Sequence, residues 1–256
     1  MNSVQGLFPI IKISQLAEEL YDLYVRCPSI ANEAQPGQFV LIRVESLPLR
    51  RPIAVCETDP DNGIVRLVFG IRGEGTKKLA RFHEDSWVDL MGPLGVGFRL
   101  FSGQKALLVG GGLGVAPLLA AAKFYGRNAR AVLGFQKSSQ VALVNDFNQH
   151  EVTAKVMTED GGQGSQGVVS EGLEQLLAQQ RPDILYACGP VAMLKKAASV
   201  AARETIPCQV LMEEKMGCGV GACHVCVCKT KQPDGSVIPS RACSDGPVFD
   251  AERVVF

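Results

Sequence analysis

Four cysteines near the C-terminus have the type and spacing needed to hold an iron–sulfur cluster. The first three follow the pattern C-x4-C-x2-C and the fourth comes later in the chain. This spacing is typical of plant-type [2Fe-2S] sites, in which a glycine-containing loop wraps closely around the inorganic core. Three glycines give this loop its backbone freedom: Gly217, Gly219 and Gly221. The pattern therefore predicts a cluster held by four thiolates: Cys218, Cys223, Cys226 and Cys243.

Other uses of these thiols match the sequence less well. Four thiolates also suit structural zinc, but zinc ribbons usually pair their cysteines as two C-x2-C knuckles, and here one spacing is x4. A disulfide framework fits poorly with an odd number of cysteines, nine, and with the lack of a secretory signal. Cys228 is left outside the ligand set, because its alternation with Cys226 predicts a side chain on the opposite face of a short strand.

Charge and hydropathy exclude two classes of partner. Lys plus Arg equals Asp plus Glu, 26 each, so no net field favours nucleic acid or an anionic membrane surface. The longest stretch without strongly polar residues, 106–122, is shorter than the roughly 20 apolar residues that span a bilayer. We expect a soluble, cytoplasmic protein with reduced thiols.

The chain divides into three predicted parts, giving a multidomain fold that combines β and α/β architecture. Residues 1–100 contain short strands separated by turn signals, which favours an antiparallel β-barrel. Residues 101–213 alternate apolar strands with helical segments, which indicates a parallel-sheet α/β nucleotide domain. Residues 214–256 are too short to bury much core unaided, so the cluster would stabilise this small domain.

Individual elements follow from the same patterns. Barrel strands are predicted at 39–44, 64–69 and 86–91. In the α/β part, strands are predicted at 105–109, 130–135, 153–158, 184–188 and 209–213, with helices at 115–125, 140–148, 170–179 and 191–204.

Two segments of the barrel have features of a flavin site. The tetrapeptide Arg51-Pro52-Ile53-Ala54 can present a cation and backbone groups to a cofactor, although an ordinary strand start would also tolerate its proline. Farther on, Gly75 and Thr76 lie at the predicted start of a short helix, where free N–H groups and the threonine hydroxyl would hold a pyrophosphate. A plain capped helix remains the alternative there.

A glycine loop between a strand and a helix has the location of a dinucleotide site. It contains Gly110, Gly111, Gly112 and Gly114, which would let the backbone approach phosphates. The loop does not fit the G-x-G-x-x-G fingerprint, and no acidic residue follows about 20 residues later to bind a ribose. A different nucleotide loop is therefore predicted, with the segment Cys188-Gly189-Pro190 at the same edge of the sheet. A buried cysteine before a turn is the other interpretation of that segment.

Together these segments resemble the ferredoxin reductase family, and within it the electron-transfer subunits of two-subunit, NAD-linked dihydroorotate dehydrogenases. The resemblance covers nearly the whole chain and is most specific in the two segments that flank the cluster cysteines. It rests on Pro36-Gly-Gln-Phe39, Arg51-Pro-Ile-Ala54, Gly75-Thr76, the loop 110–117, Cys188-Gly-Pro190, Met212-Glu-Glu-Lys-Met-Gly-Cys218 and Asp245-Gly-Pro-Val-Phe-Asp250.

The resemblance implies an oxidoreductase subunit of pyrimidine biosynthesis that contains FAD and a [2Fe-2S] cluster and uses NAD as electron acceptor. Its partner would be an FMN-containing catalytic subunit that oxidises dihydroorotate, in a heterotetramer with two copies of each subunit. No residue of this chain would act as a catalytic acid or base. FAD would contact Arg51, Pro52, Ile53, Ala54, Val68, Phe69, Gly70, Gly75 and Thr76. NAD would contact Gly110, Gly111, Gly112, Gly114, Cys188, Gly189 and Pro190.

The sequence departs from this family in two respects, at Ala54 and in the lack of an obvious 2′-phosphate site, and it leaves two other functions open. Ala54 stands where relatives usually have Ser or Thr, which removes one side-chain hydrogen bond to the flavin. Only Lys137 could meet a 2′-phosphate, so NAD is favoured over NADP. One alternative is a flavin and iron–sulfur subunit of a ferredoxin-NAD(P) oxidoreductase, although such relatives often carry Asp in place of Cys218. The other alternative is a redox-sensing protein.

Overall fold

The computed structural model describes residues 3–256, and its N-terminal part is a closed antiparallel barrel of six strands in the order β1-β2-β5-β4-β3-β6. Two short helices, α1 (Pro28–Glu33) and α2 (Glu74–Leu79), connect them. The predicted barrel is thus confirmed. Its strands are β1 (Val4–Ala17), β2 (Leu20–Arg26), β3 (Phe39–Arg43), β4 (Arg51–Asp59), β5 (Ile64–Gly70) and β6 (Trp87–Leu94).

Alternation of side chains along β3 divides the barrel into an inner and an outer face. Val40 and Ile42 belong to the barrel core, whereas Phe39 and Leu41 belong to a separate apolar cluster that contains cysteines of the C-terminal region. Successive residues of a strand point to opposite faces. The barrel therefore carries the cysteine-rich region on its outer face, over β3.

Strand β6 runs farther than the turn signal at Gly92-Pro93 predicted. Pro93 lies inside the strand, and the register between β3 and β6 shifts between Phe39 and Leu41. Such an irregularity lets the ladder continue past a residue that has no N–H to donate. The outer face of β6 thereby reaches the cysteine-rich region.

The middle of the chain forms a sheet whose strands follow the order β10-β9-β8-β7-β11-β12-β15, in which β15 is Val248–Asp250. All neighbours except the last pair are parallel, which confirms the predicted α/β class. Their carboxyl ends therefore meet at one edge, where open α/β sheets bind ligands. The parallel strands are β7 (Ala106–Gly111), β8 (Ala129–Phe135), β9 (Thr153–Thr158), β10 (Ser165–Gln166), β11 (Ile184–Cys188) and β12 (Cys208–Leu211).

Four helices connect these strands, and two begin later than the sequence pattern predicted. The segment predicted as a helix from residue 115 is a 3-10 helix over Gly112–Leu118 before α3 begins; Pro117 has no N–H for an α-helical ladder. In the next connection, Leu143 has a left-handed φ of 65°, so α4 begins after it. The helices are α3 (Leu119–Tyr125), α4 (Val144–Gln149), α5 (Val169–Gln179) and α6 (Val191–Arg203).

The C-terminal region leaves the central sheet and returns to it. Residues 214–247, called here the cysteine segment, contain the hairpin β13 (Val227–Lys231) and β14 (Val237–Arg241). After them, β15 (Val248–Asp250) pairs antiparallel with β12. The last strand thus belongs to the central sheet, while the division of the chain at residues 100 and 213 stays a prediction. Within residues 3–256, no helix combines the length and apolar character that a bilayer crossing requires.

Candidate cluster and cofactor sites

Three of the four predicted cluster ligands receive backbone N–H groups at sulfur, and the fourth, Cys226, packs with Cys243 in one apolar cluster. Ala222 and Cys223 donate to Cys218 Sγ at 3.2 and 3.3 Å, and Gly221 donates to Cys243 Sγ at 3.1 Å. Cys218 donates its own N–H to Cys223 Sγ at 3.3 Å. Amides aimed at sulfur stabilise thiolates and tune iron–sulfur clusters. The donor set therefore fits a [2Fe-2S] cluster.

The pKa values of Cys218 and Cys243 are shifted in opposite directions by their surroundings. Burial acts to raise the pKa of Cys218, but hydrogen bonds from Val220, Cys223 and Ala222 outweigh it and lower the pKa to about 6. Burial and a hydrogen bond with Cys226 instead raise the pKa of Cys243 to about 12. Within residues 3–256, no three His, Cys, Asp or Glu side chains converge on a position for a single metal ion.

Cys228 faces away from this loop. Its side chain is buried in a core that includes Phe249 and Val254, whereas Cys226 packs with Phe39 on the barrel side. Burial raises the pKa of Cys228 to about 11. This opposite orientation is the one that strand alternation predicted, and it supports the ligand set of four.

The cysteine segment rests directly on the barrel. Gly219 has a φ of 71°, and a Cβ atom there would collide with the side chain of Leu41. In the β3–β4 ladder, Leu41 is paired with Pro52 and Phe39 with Ala54. The cluster loop therefore contacts the strand next to the predicted flavin motif.

The two flavin motifs, far apart in sequence, lie together in the structure. A Cβ at Gly75 would collide with the guanidinium group of Arg51, so glycine lets this cation lie against the start of α2. The Arg51 Nη1 atom donates to the Leu49 carbonyl at 3.0 Å. Anions bind well at such a position, where a cation and the orphan N–H groups of a first helical turn converge.

Thr76 has a different local role from the one the sequence predicted. Its hydroxyl accepts the backbone N–H of Arg72 at 2.9 Å and donates to the Gly73 carbonyl at 3.2 Å. The hydroxyl thus stabilises the loop 72–76 through these two hydrogen bonds. Contact of Thr76 with a pyrophosphate stays a prediction.

Val68 and Phe69, the other predicted flavin residues, are buried on opposite sides of β5. Phe69 lies in the barrel core and stacks on Tyr21 with ring centroids 5.7 Å apart. Val68 packs with Cys56 in the core shared with the central sheet. Contact of Val68 and Phe69 with FAD stays a prediction.

A cleft of about 640 Å³ opens between the barrel and the carboxyl edge of the central sheet. The barrel contributes the end of β5, and the sheet contributes the loops that follow β7, β8, β9 and β11. This is the place where ligands bind in open α/β folds. The predicted site residues that line it are Gly70, Gly111, Gly112, Gly114, Gly189 and Pro190.

Gly110 and Cys188 lie behind the wall of this cleft, paired across the β7–β11 ladder. A Cβ at Gly114 would collide with the Cys188 carbonyl, and a Cβ at Gly110 would meet Val115. These glycines let the loop fold back tightly onto the strand ends. Burial raises the pKa of Cys188 well above its ordinary value, and the charge of Glu213 adds to this shift.

The comparisons with known proteins agree with this arrangement. Residues 213–255 match the iron-sulfur cluster binding domain of dihydroorotate dehydrogenase B. A "Dihydroorotate dehydrogenase B (NAD(+)), electron transfer subunit" from Shouchella clausii (strain KSM-K16) is 38% identical over 264 residues, which cover 100% of both chains. The chain belongs to this family. A protein of the same description from Bacillus caldolyticus is 39% identical over 249 residues, which cover 94% of each chain.

Solved structures give the same fold. A structure titled "Insights into flavin-based electron bifurcation via the NADH-dependent reduced ferredoxin-NADP oxidoreductase structure" has a TM-score of 0.86 and 31% identity, and covers 98% of this chain and 90% of the other. A "Ferredoxin reductase in carbazole 1,9a-dioxygenase" has a TM-score of 0.68 at 19% identity, over 81% of this chain and 68% of the other. The predicted family and fold class are both confirmed.

For this electron-transfer subunit, sequence reasoning missed several residues of the cleft. Arg72 and Glu213 line it from two different parts of the chain. Burial raises the pKa of Glu213, and Arg72 opposes the shift. Glu159 lines the cleft beside the end of β8. A single charged residue after a strand carries no strong signal in one sequence, so only the fold identifies these three.

Proposed function

We infer that the chain transfers electrons from the FMN of a dihydroorotate dehydrogenase catalytic subunit to NAD, by way of a [2Fe-2S] cluster and FAD. One observation carries this proposal. The loop that holds the four cysteines packs on Leu41, and Leu41 is paired with Pro52 of the flavin motif. This contact supports a short path between the proposed cluster site and the proposed flavin site, and Gly70 at the end of β5 lines the proposed nucleotide cleft.

Each part of the chain has a defined task in this sequence. NAD exchanges two electrons as a hydride whereas a cluster passes one at a time, and bound FAD supplies the conversion between the two. The amides of Gly221, Ala222 and Cys223 hold the thiolates, and the loop 110–114 lets a dinucleotide approach the sheet edge. No side chain of the cleft is required to transfer a proton to substrate.

The open side of the cluster loop is the proposed exit toward the catalytic subunit. Cys223 is exposed, and the neighbouring Val220 and Val225 are 50% and 57% exposed. Apolar side chains around a redox centre exclude water when a partner docks on them. We propose that the FMN-containing subunit binds here, in a heterotetramer with two copies of each chain.

The first test is an anaerobic titration of the purified chain with NADH, followed by flavin absorbance and by the electron paramagnetic resonance of a reduced [2Fe-2S] centre. Bleaching of the flavin together with a cluster signal is the expected result. Adding the FMN-containing subunit and orotate should then reoxidise both centres. A flavin that NADH does not reduce, or a chain that binds zinc instead of iron, would contradict the proposal.

A second function is favoured by the structural similarity to the ferredoxin-NADP oxidoreductase, at 31% identity. In that case the chain would exchange electrons with a ferredoxin-dependent partner. Reoxidation of the NADH-reduced chain by ferredoxin, but not by orotate with the FMN subunit, would select this alternative. Steady turnover with either partner would argue against a purely sensing role.

A further inference from the structure

The barrel strand β4 carries a carboxylate that two helices of the central sheet contact. Lys123 Nζ, on α3, lies 3.2 Å from Glu57 Oε1. His150 Nε2, just after α4, lies 3.1 Å from the same oxygen. Lys123 also donates to the Thr58 carbonyl at 3.1 Å. Lys123 therefore bonds to two consecutive residues of β4.

A second bridge joins the next barrel strand to α4. Arg66 of β5 is the ladder partner of Glu57, and its guanidinium group lies 3.7 Å from the Glu57 carboxylate. The same guanidinium group pairs with Asp146 of α4. Five side chains are called here the anchor group: Glu57, Arg66, Lys123, Asp146 and His150. None of them is among the residues that line the cleft, so the group can affect the cleft only through the elements that carry it.

One of these elements leads directly to a wall of the cleft. The 3-10 helix Gly112–Leu118 continues into α3, which carries Lys123. Gly112 and Gly114, at the start of this segment, line the cleft. Gly114 is roughly 16 Å from Lys123 along the two helices. The contact of α3 with β4 therefore determines where this wall lies.

The opposite wall of the cleft is connected to the same anchor group. Gly70 ends β5 and lines the cleft from the barrel side. It follows Arg66 along the same strand at a distance of roughly 13 Å. Both connecting elements are regular, so a shift of α3 against β4 at the anchor group displaces the two walls of the cleft relative to each other.

Apolar packing alone does not fix this orientation. Cys56 of β4 and Val68 of β5 share one core with Val115 and Leu119 of the segment that leads into α3. Apolar contact has no preferred direction, whereas charge-assisted hydrogen bonds require a defined geometry. The anchor group therefore selects one orientation among those that the apolar contact permits.

We propose that Lys123 and Asp146 are positioning residues for hydride transfer, because they hold α3 and α4 in one orientation on the barrel. The inference rests on the proposed function, in which NADH gives up a hydride and becomes NAD while bound FAD accepts that hydride. Such a transfer requires the reacting atoms to lie about 3–3.5 Å apart. Since neither residue lines the cleft, their loss should change the rate of transfer more than the affinity for NADH.

The test measures reduction of the FAD-loaded chain by NADH in a stopped-flow instrument, without oxygen and at increasing NADH concentrations. The limiting rate reports hydride transfer, and the half-saturating concentration reports NADH binding. In Lys123→Met the limiting rate should fall by about fivefold, within the roughly 100-fold that a misplacement of about 1 Å can cost. The half-saturating concentration should stay close to that of the wild-type chain. Asp146→Asn should lower the limiting rate in the same way.

Hydrogen exchange provides a second readout, which needs no NADH. In Lys123→Met the amides of residues 112–118 should exchange faster, because α3 is held less firmly on β4. Lys123→Arg keeps the charge and the donors, so it should restore the protection of these amides and most of the limiting rate. Flavin content and melting temperature confirm that each variant is folded.

Arg127→Met is the matched control. Arg127 pairs with Glu151 at 3.2 Å, and both side chains are exposed. These residues follow α3 and α4, so the pair lies within the central part of the chain and does not join it to the barrel. Its loss should leave the limiting rate and the exchange of residues 112–118 unaltered.

The outcomes separate the inference from the proposed function. If NADH reduces the wild-type flavin and the limiting rate is the same in Lys123→Met and Asp146→Asn, the positioning role is overturned while the proposed function stands. A change in the half-saturating concentration alone would also overturn it, since the anchor group would then act on binding. The same holds for a rate that falls without faster exchange, or that falls equally in Arg127→Met. If NADH does not reduce the wild-type flavin, the proposed function is wrong and the inference fails with it.

Discussion

The barrel contacts the central sheet through ion pairs as well as apolar side chains, whereas its side chains contact the cysteine segment through an apolar cluster. On the first side, Arg66 of β5 pairs with Asp22 of β2 at 2.8 Å and with Asp146 of α4. Glu57 of β4 pairs with Lys123 of α3 at 3.2 Å. Arg66 and Asp22 are buried, and the pairs with Asp146 and Lys123 join the barrel to helices of the central sheet.

The other side of the barrel has no such network. Phe39, Leu41 and Leu94 pack against Cys226 and Cys243, and none of the ion pairs within residues 3–256 joins the barrel to the cysteine segment. Close approach there depends on Gly219, which leaves room for Leu41.

This difference matches the tasks of the two interfaces. Ion pairs are directional, and breaking a buried pair costs several kcal/mol, so the pairs of Arg66 with Asp146 and of Glu57 with Lys123 favour one orientation of the barrel against helices α4 and α3. Apolar contact has no preferred direction. It lets the cysteine loop approach strand β3 closely.

The largest expected effect comes from removing a cluster ligand. Cys223→Ser should lose nearly all cluster iron while retaining FAD, because the flavin motifs lie on the barrel and not on the cysteine segment. Iron content and paramagnetic resonance measure the loss of the cluster, and flavin absorbance measures the retention of FAD. Cys228→Ser, whose thiol faces the opposite core, should retain the cluster. Joint loss of FAD and iron in Cys223→Ser would show that the two interfaces are not independent.

The next largest effect is expected at the charged interface. Arg66→Met leaves the buried carboxylate of Asp22 unpaired, which should lower the free energy of unfolding by about 3–5 kcal/mol. Urea denaturation measures the change. Arg203→Met, which removes an exposed ion pair with Glu174, is the control and should have little effect. Equal losses in the two variants would mean that the buried network contributes no more than a surface pair.

A smaller effect is expected at the apolar interface. Gly219→Ala forces a Cβ against Leu41 at a positive φ, which should cost about 1–3 kcal/mol locally and speed cluster release to a chelator. Adding Leu41→Ala should relieve the clash, so that the double variant releases its cluster more slowly than the two single effects predict. Additive rates would indicate that the contact between Gly219 and Leu41 does not limit the approach of the loop.

The smallest expected effect is a dependence of stability on pH, caused by Glu213 in the cleft. Burial raises the pKa of Glu213 in the folded chain, so the folded state binds this proton more tightly than the unfolded state does. Stability from this group is therefore fully present below the unfolded pKa and is lost as pH rises through the folded pKa. In the wild-type chain this loss should lower the melting temperature as pH rises above about 4.5. Glu213→Gln should make the decline smaller.

The pKa of Glu174 is shifted in the opposite direction to that of Glu213, which provides a comparison. Its hydrogen bond with Arg203 lowers its pKa, so its contribution is present above the unfolded pKa and is lost as pH falls. In the wild-type chain this group makes the melting temperature fall as pH decreases through the pKa of Glu174. Glu174→Gln should remove that fall and leave the melting temperature at higher pH without a comparable change in slope. The same pH dependence in both variants would contradict the assigned shifts.

Local features of the fold were predictable from the sequence because they depend on neighbouring residues. The spacing of Cys218, Cys223 and Cys226 is a property of one loop, and the alternation of strands and helices in the middle of the chain is a property of short windows. The opposite orientations of Cys226 and Cys228 also follow from strand geometry alone. Predicted boundaries differed from the structure mainly where Pro117 or Leu143 changed the backbone.

Long-range pairings were not predictable in this way. The pairing of β15 with β12, the contact of Gly219 with Leu41 and the position of Glu159 beside Phe135 each depend on how separate elements pack.

The sequence by itself therefore determined the cluster chemistry, the class of each part of the chain and the family. Only the tertiary structure decided which groups meet: the cysteine loop with strand β3, the barrel with helix α4 through Arg66, and the Glu159 backbone with the end of β8. The physical reason is that ligand type and strand or helix period are local properties of a chain. Distances between remote residues are set by the packing of many elements at once.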